Sequence, residues 1–303
     1  MKNFKYLVSI VGPTAVGKTA LSIQLANEFA CGIISADSRQ FYRELEIGTA
    51  KPNQQELAAA HHHLINSLSI HDDYNVGNFE TDTLAILANS YVQSDMMVMV
   101  GGSGLFVNAV CYGMDDLPVI KEGERERIIS ELNQNGLACL NKELEEKDPE
   151  YFSKVDLKNP QRVMRALEVI RSTGKSFSEF RSGTKVERPF KTIWIGLEMD
   201  RKDLYDRINL RMDHMIANGL FEEAKKHHKF KHLNALQTVG YKEIFGYLDG
   251  EYDREEAIRL LKRNSRRYAK RQMTWFKRNE GITWFSPNDY ESITKFISES
   301  QGN

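Results

Sequence analysis

The chain has 303 residues, 41% of them hydrophobic and 27% charged, and its 41 Lys and Arg against 42 Asp and Glu give a net charge of −1. A chain of this length buries about 75% of its unfolded surface, so disorder, a collagen-like fibre and a disulfide-stapled miniprotein are excluded. Length implies roughly two domains, or one large α/β unit with an insertion, and a balanced net charge leaves a nucleic-acid partner open because the distribution of charge decides that.

Met1 to Tyr6 lead into a strand with no apolar leader, and no apolar run approaches the ~20 residues that span a bilayer. Cys31, Cys111 and Cys139 are odd in number and far apart, which argues for a reducing compartment and against a cysteine zinc site. The expectation is a cytoplasmic chain with no membrane partner. Tyr6–Val11 is nearly continuous in apolar residues, as in a strand buried on both faces. Helical spacing follows over 20–29, then a second strand over 33–36 that ends at Asp37. A helix is expected over 77–94. A buried strand over 96–100 runs into Gly101-Gly102 and a helix from Gly104. This alternation predicts an α/β fold, a mostly parallel sheet flanked by helices. Residues 117–189 are charged and helical with no buried strand, so they are expected to form an all-helical insertion domain within a core of 1–116 and 190–303. Strand character returns at 192–197, residues 201–278 are helical, and 282–285 add a last strand.

Gly12-Pro13-Thr14-Ala15-Val16-Gly17-Lys18-Thr19 fits G-x-x-x-x-G-K-[ST] between a predicted strand and a predicted helix, the setting a phosphate-binding P-loop requires. The glycines let loop amides wrap a phosphate, and the helix N-terminus adds partial positive charge. Lys18 reaches an outer phosphate, and the Thr19 hydroxyl is a ligand for Mg²⁺. The sheet is therefore expected to be P-loop NTPase-like. No acid ends the strand 96–100. The acid follows the second strand instead, in Asp37-Ser38-Arg39-Gln40. Both loops lie at carboxyl ends of strands, where ligands bind in open α/β sheets. Asp37 therefore faces the phosphate loop, unless it serves only to cap the next segment. Gly101-Gly102 permits close approach of a substrate, or simply a tight turn.

Taken together, Gly12–Thr19, Asp37–Tyr42, Ile47-Gly48-Thr49-Ala50-Lys51-Pro52, His62–Ile65, Gly101–Phe106, Asn159–Val169, Val239–Glu243 and Tyr268–Phe276 resemble the tRNA dimethylallyltransferases (tRNA isopentenyltransferases). These segments span nearly the whole chain in family order. Ser103 stands where the family usually has Thr, and Ser265-Arg266 where Thr-Arg is common. The chain ends without the C-terminal zinc finger of eukaryotic members and so resembles the bacterial type. The resemblance implies transfer of a dimethylallyl group from dimethylallyl diphosphate to N6 of the adenosine 3′-adjacent to the anticodon, with Mg²⁺ as cofactor. It assigns Asp37, Lys18 and Thr19 to catalysis and the 12–19 loop to the diphosphate. It assigns Asp37, Ser38, Arg39, Gln40, Ser103, Arg125 and 161–165 (Gln161, Arg162, Val163, Met164, Arg165) to the anticodon stem-loop of tRNA. A loop without an acid at the end of its neighbouring strand need not hydrolyse a nucleotide; it can hold a diphosphate leaving group. A carboxylate accepting the exocyclic N–H would make adenine N6 a better nucleophile.

Residues 259–278 contain nine Lys or Arg and no acid. Ile258, Leu261, Tyr268 and Trp275 recur at helical steps and are expected to pack on the core. The basic stripe beside them, with Arg266 and Lys270, suits a phosphate backbone, although a solvated helix face would look similar. Arg162 and Arg165 share a helix face on the same argument. Consecutive histidines such as His61-His62-His63, on a helix, diverge and do not build a tetrahedral metal site. The chain is expected to be a monomer. The main alternatives are a P-loop small-metabolite kinase, which needs no basic helix and no insertion, and an RNA-binding scaffold with a vestigial loop. The sequence leaves open whether ATP also enters the P-loop.

Overall fold

A computed structural model describes residues 4–181, 183 and 185–302. Met1, Lys2 and Asn3, on which the leader argument partly rests, and Ser182, Thr184 and Asn303 at or within the expected domain ranges, lie outside them. The elements run β1 (Tyr6–Val11), α1 (Lys18–Glu28), β2 (Ile33–Ser35), α2 (Gln54–Ala59), β3 (His62–His63), α3 (Val76–Ser90), β4 (Met96–Gly101) and α4 (Gly104–Tyr112). Next come α5 (Glu124–Asn135), α6 (Leu137–Lys147), α7 (Pro149–Phe152) and α8 (Pro160–Thr173). The chain then returns through β5 (Lys191–Leu197), α9 (Arg201–Ala217), α10 (Leu220–His227), α11 (Tyr241–Leu248), α12 (Arg254–Phe276), β6 (Thr283–Phe285) and α13 (Tyr290–Gly302).

The six strands form one sheet in the order β3-β2-β4-β1-β5-β6, every pair parallel. β1 is central, with Val8 opposite Val98 on one side and Ile193 on the other. Because successive side chains point to opposite faces, Tyr6, Val8 and Ile10 join one core layer and Leu7 and Val11 the other. Helices cover both layers, which is why the strand is apolar at every position but Ser9. The order matters for function. β2, β4 and β1 are neighbours, so the loops after them (Asp37–Gln40, Gly102–Ser103 and Gly12–Gly17) share one edge of the sheet.

The chain divides into two compact units, Met1–Tyr112 with Glu187–Asn303, and Gly113–Val186. The break points fall earlier than 116/117 and 189/190 for identifiable reasons. Asp115 accepts the Gly183 amide at 3.0 Å and faces Arg181, binding it to the insertion. Arg188 donates to Glu80 and to the Ala109 carbonyl, binding it to the sheet unit. The insertion has its own core, built from Ile128, Leu140, Leu144, Val163 and Leu167, all with no exposure.

Two expectations need correction. His62-His63 form the short edge strand β3, not part of a helix, paired with Ile33-Ile34. On α12 the buried face is Ala257, Leu261, Ser265, Ala269, Gln272 and Phe276; of the expected stripe Leu261 is buried and Ile258 and Trp275 pack half-buried against the core, while Tyr268 joins no core cluster. Trp275, beside that face, packs so closely that a Cβ on Gly104 would fall 2.2 Å from its ring.

Among the buried carboxylates of the insertion, Asp148 organises two segments. Asp148, 1% exposed, caps α7 by accepting the Tyr151 amide at 2.9 Å and also accepts the Ser178 amide at 2.8 Å and the Ser178 hydroxyl. Burial pushes its pKa up, but the bonds from Ser178 and Tyr151 outweigh this and hold it below the ordinary carboxylate value. We expect Asp148→Ala to cost about 2–3 kcal/mol, the sum of a lost cap and orphaned amides, and Asp148→Asn to cost less. Because the folded pKa is depressed, this stabilisation is complete above pH ~4 and fades as pH falls through the folded value. Thermal unfolding of wild type and variants across pH checks both: the difference between wild type and Asp148→Ala must shrink in acid.

Candidate active site and nucleic-acid interface

The 12–19 loop leaves β1 and enters α1. Gly12 adopts φ +146°, and a Cβ there would lie 2.6 Å from the Leu197 carbonyl oxygen, so the loop passes too close to β5 for any side chain. Val16, fully buried, anchors the loop in the core. Gly17, at φ +113°, starts α1. Lys18 lies across the loop, its Nζ donating to the Gly12 and Pro13 carbonyls at 3.0 and 2.7 Å. A cleft of about 530 Å³ opens beside it, lined among others by Thr14, Lys18, Thr19, Asp37, Arg207 and Arg211. Burial and the nearby Arg211 lower the Lys18 pKa to about 7, against the opposing attraction of Asp37. Burial conversely raises Asp37, despite the Arg39 amide and the charges of Lys18, Arg39 and Arg211. Arg211 is itself lowered, by burial first and then by Arg207, with Asp37 opposing.

Asp37 also borders a second, smaller cavity of about 80 Å³, with Arg39, Thr49, Gly240, Ser265 and Tyr268 in its wall. Thr14, Asp37, Thr49, Ala50 and Arg211 line both cavities, so this carboxylate stands where the two meet. No helix begins at Asp37; it accepts the Arg39 amide at 3.0 Å, and the capping alternative reduces to that single turn. Ser103 accepts the Ser38 amide at 3.1 Å and donates to the Ser38 hydroxyl at 3.2 Å. The hydroxyl kept at position 103 therefore ties the Asp37 loop to the β4 loop. Burial, then the charge of Asp37, pushes the Tyr268 hydroxyl up to about 12.

Several residues of this site escaped the sequence reading. Gln272, 6% exposed, accepts the Thr14 amide at 2.8 Å and donates to the Gly102 carbonyl at 3.0 Å. One side-chain amide thus bridges the phosphate loop and the β4 loop. It lies in the Tyr268–Phe276 motif, but nothing in that string says that Gln272 faces inward. Arg207 and Arg211, one helical turn apart on α9, bring two guanidinium groups to the cleft, and Arg211 donates to the Thr14 hydroxyl. Their i,i+4 spacing was visible; the face they occupy was not.

The residues assigned to RNA divide between the units. In the insertion, buried Glu168 accepts from Arg125 at 2.6 Å and from Arg165 at 3.1 Å, and Arg125 also donates to Gln161 at 3.3 Å. Arg125, Gln161 and Arg165 thus form one cluster, with Arg162 exposed on the same helix. Val163 and Met164 are corrected: at 0% and 2% exposure their side chains belong to the insertion's core and cannot touch a partner. In the sheet unit the Gln40 side chain is committed to the cleft wall, donating to the Thr49 and Ala50 carbonyls at 3.3 and 3.2 Å. The acid-free stretch 259–278 meets acids from elsewhere: Arg259 pairs with Glu256, Lys262 with Asp213 and Lys277 with Glu198. Arg266 donates to Asn209 and lies over the Tyr205 ring. Among the described residues, exposed Arg267, Lys270 and Arg278 form no ion pair.

A cleft of this kind, phosphate loop on one side and the Asp37 carboxylate at the junction with a second cavity, defines a group-transfer site on a P-loop fold. The profile of the IPP transferase family matches residues 40–279. A tRNA dimethylallyltransferase of Cytophaga hutchinsonii is 51% identical over 97% of this chain and 96% of its own length. One from Phocaeicola vulgatus is 47% identical over 96% and 97%. Among solved structures, the full-length tRNA isopentenylpyrophosphate transferase of Bacillus halodurans superposes with a TM-score of 0.73 at 38% identity, covering 98% of this chain and 97% of that one. A eukaryotic dimethylallyltransferase caught acting on tRNA gives 0.79 at 26% identity, covering 98% and 77%. The chain belongs to the IPP transferase family, that of the tRNA dimethylallyltransferases. That membership decides against the small-metabolite kinase.

Arg211 supplies a test of the cleft. A charge-assisted bond to an anion is worth about 1.5–3 kcal/mol. Arg211→Ala is therefore expected to weaken binding of inorganic diphosphate by roughly ten- to a hundredfold, measured by calorimetry, with Arg211→Lys between it and wild type. Unchanged affinity would place the diphosphate elsewhere.

Proposed function

We propose that the larger cavity takes the diphosphate of dimethylallyl diphosphate, and that the smaller one admits the adenosine 3′ to the anticodon of a tRNA. The observation that carries this reading is the position of Asp37 at the junction of the two cavities, opposite Lys18 and Arg211. The bond between the dimethylallyl C1 and the bridging oxygen breaks as adenine N6 bonds to C1. The electron pair leaves with the diphosphate, where Lys18, Arg211 and the loop amides face the developing charge. The N6 proton passes to Asp37, whose raised pKa makes it a stronger base than a solvated carboxylate.

Thr19 and Asp37 offer hard oxygen donors in the same cleft, and among the described residues no three His, Cys, Asp or Glu side chains converge on a metal. This fits Mg²⁺, which keeps several waters and takes much of its shell from substrate phosphates. Thr19 would hold it, and the ion would add positive charge beside the leaving diphosphate. RNA would be held by Arg125, Gln161, Arg162 and Arg165 on the insertion and by Arg267 and Lys270 on α12. No helix among the described residues is long and apolar enough to cross a membrane. Action as a monomer in the cytoplasm, where tRNA is processed, completes the reading.

Loss of a general base costs typically ~10²–10⁴ in rate. Asp37→Asn should lower single-turnover transfer by that order with little change in diphosphate affinity. Lys18→Ala should weaken diphosphate binding and transfer together. Arg267→Gln with Lys270→Gln should flatten the dependence of tRNA affinity on salt by roughly 0.7–0.9 per lost phosphate contact and leave diphosphate binding alone. An Asp37→Asn enzyme of near-normal rate would remove the base from this mechanism; equal salt slopes would remove α12 from the interface.

A further inference from the structure

Part of the wall shared by the two cavities is a loop with no strand or helix of its own. Thr49 and Ala50 face both cavities, Gly48 the smaller, and Lys51 and Pro52 the larger. Residues 43–52 lie between β2 and α2 without regular structure, so their amides have no ladder to join. Three successive amides solve this with one side chain. Glu223 of α10 accepts the Glu46 and Ile47 amides on Oε2, at 3.0 and 2.8 Å, and the Gly48 amide on Oε1 at 2.9 Å. The Tyr241 hydroxyl donates to the same Oε1 at 2.6 Å. Consecutive amides converging on one point form an anion-binding nest, and here the anion is the chain's own carboxylate.

Three further facts separate this contact from an incidental one. Glu223 is 9% exposed and forms no ion pair among the described residues, so its charge is held by these four donors. Tyr241 is fully buried against Gly48, where a Cβ would lie 2.5 Å from its ring. Downstream, Ala50 sits at φ +47°, a backbone state that persists only when its surroundings enforce it. Gln40 holds the Thr49 and Ala50 carbonyls from one side and Glu223 holds the preceding amides from the other.

We infer that Glu223, steadied by Tyr241, is a positioning residue for the transfer reaction: its buried carboxylate fixes the 46–52 loop as the common wall of the two cavities. Glu223 lines neither cavity itself and acts through the backbone of the loop. This rests on the reading of those cavities as the diphosphate and adenosine sites. Glu223→Gln keeps the shape but replaces one acceptor oxygen with a donor, leaving loop amides facing an NH₂. Tyr241→Phe keeps the ring against Gly48 and all three amide bonds, removing only the hydroxyl.

The test compares both variants with wild type in the full-length chain, below their unfolding temperatures. Loss of a charge-assisted bond predicts at least about tenfold faster hydrogen exchange of amides 46–48 in Glu223→Gln, with β1 amides unchanged. kcat/KM for dimethylallyl diphosphate should fall by at least about tenfold, while tRNA affinity at low salt stays within about twofold, being set by phosphate contacts of Arg and Lys residues outside the loop. Tyr241→Phe should show the same pattern at smaller amplitude, and it carries the test if Glu223→Gln does not fold. Lowered unfolding temperature with normal kcat/KM in the folded variants would make Glu223 a merely structural residue and overturn the inference. Inorganic diphosphate distinguishes the two failures. If wild type and Lys18→Ala bind it equally, the site reading falls and the inference with it. If they differ while the Glu223 and Tyr241 variants transfer normally, the inference alone falls.

Discussion

The site depends on one electrostatic arrangement: the buried carboxylate of Asp37, held in a shielded cleft against Lys18 and Arg211. Each group shifts against its ordinary pKa because each is desolvated, the acid upward and the bases downward. The cations outnumber the acid, so the cleft suits a polyanion better than it suits itself. A diphosphate entering it gains partners whose water has already been removed, and the carboxylate keeps the basicity that a solvated Asp would lack. In the proposed reaction, such preorganisation would let one small region favour both a departing anion and a departing proton.

Holding that arrangement is mostly the work of residues that do no chemistry. The three loops at the ends of β1, β2 and β4 come from far apart in sequence and share an edge only because their strands are neighbours. Gln272 bridges the first and third, and Ser103 bridges the third and second. Gly101 and Gly102 let these contacts close: a Cβ on Gly101 would meet the Ala36 carbonyl oxygen at 2.3 Å, and one on Gly102 would meet the Gln272 amide at 2.1 Å. The glycine pair thus serves a close approach of backbone and side chain within the protein as well as any substrate beside it.

The sheet was legible because a strand buried on both faces is apolar at nearly every position: Tyr6–Val11 has only Ser9 as an exception and Met96–Val100 has none. The phosphate loop was legible because its glycines and Lys18 are dictated by local backbone geometry. What escaped was whatever depends on the facing of a helix. In α12 the buried side also takes Ser265, Ala269 and Gln272, which apolar spacing could not reveal, and Tyr268 of the apolar stripe joins no core cluster. Its basic residues read as free because the acids that pair with three of them, Glu256, Asp213 and Glu198, lie outside the window counted. Val163 and Met164 illustrate the reverse error: a contiguous stretch was assigned to RNA, but a helix turns each successive residue by about 100°, and those two face the insertion's core.

The central claim is that the two cavities meeting at Asp37 join a dimethylallyl group to a tRNA adenosine. The most direct measurement incubates the protein with dimethylallyl diphosphate, Mg²⁺ and unmodified tRNA, digests the RNA, and identifies the product nucleoside by mass spectrometry. The account predicts one dimethylallyl group on N6 of the adenosine 3′-adjacent to the anticodon, with release of one diphosphate per group transferred. Unmodified tRNA after many equivalents of enzyme, or a prenyl group on any other nucleoside, would contradict it.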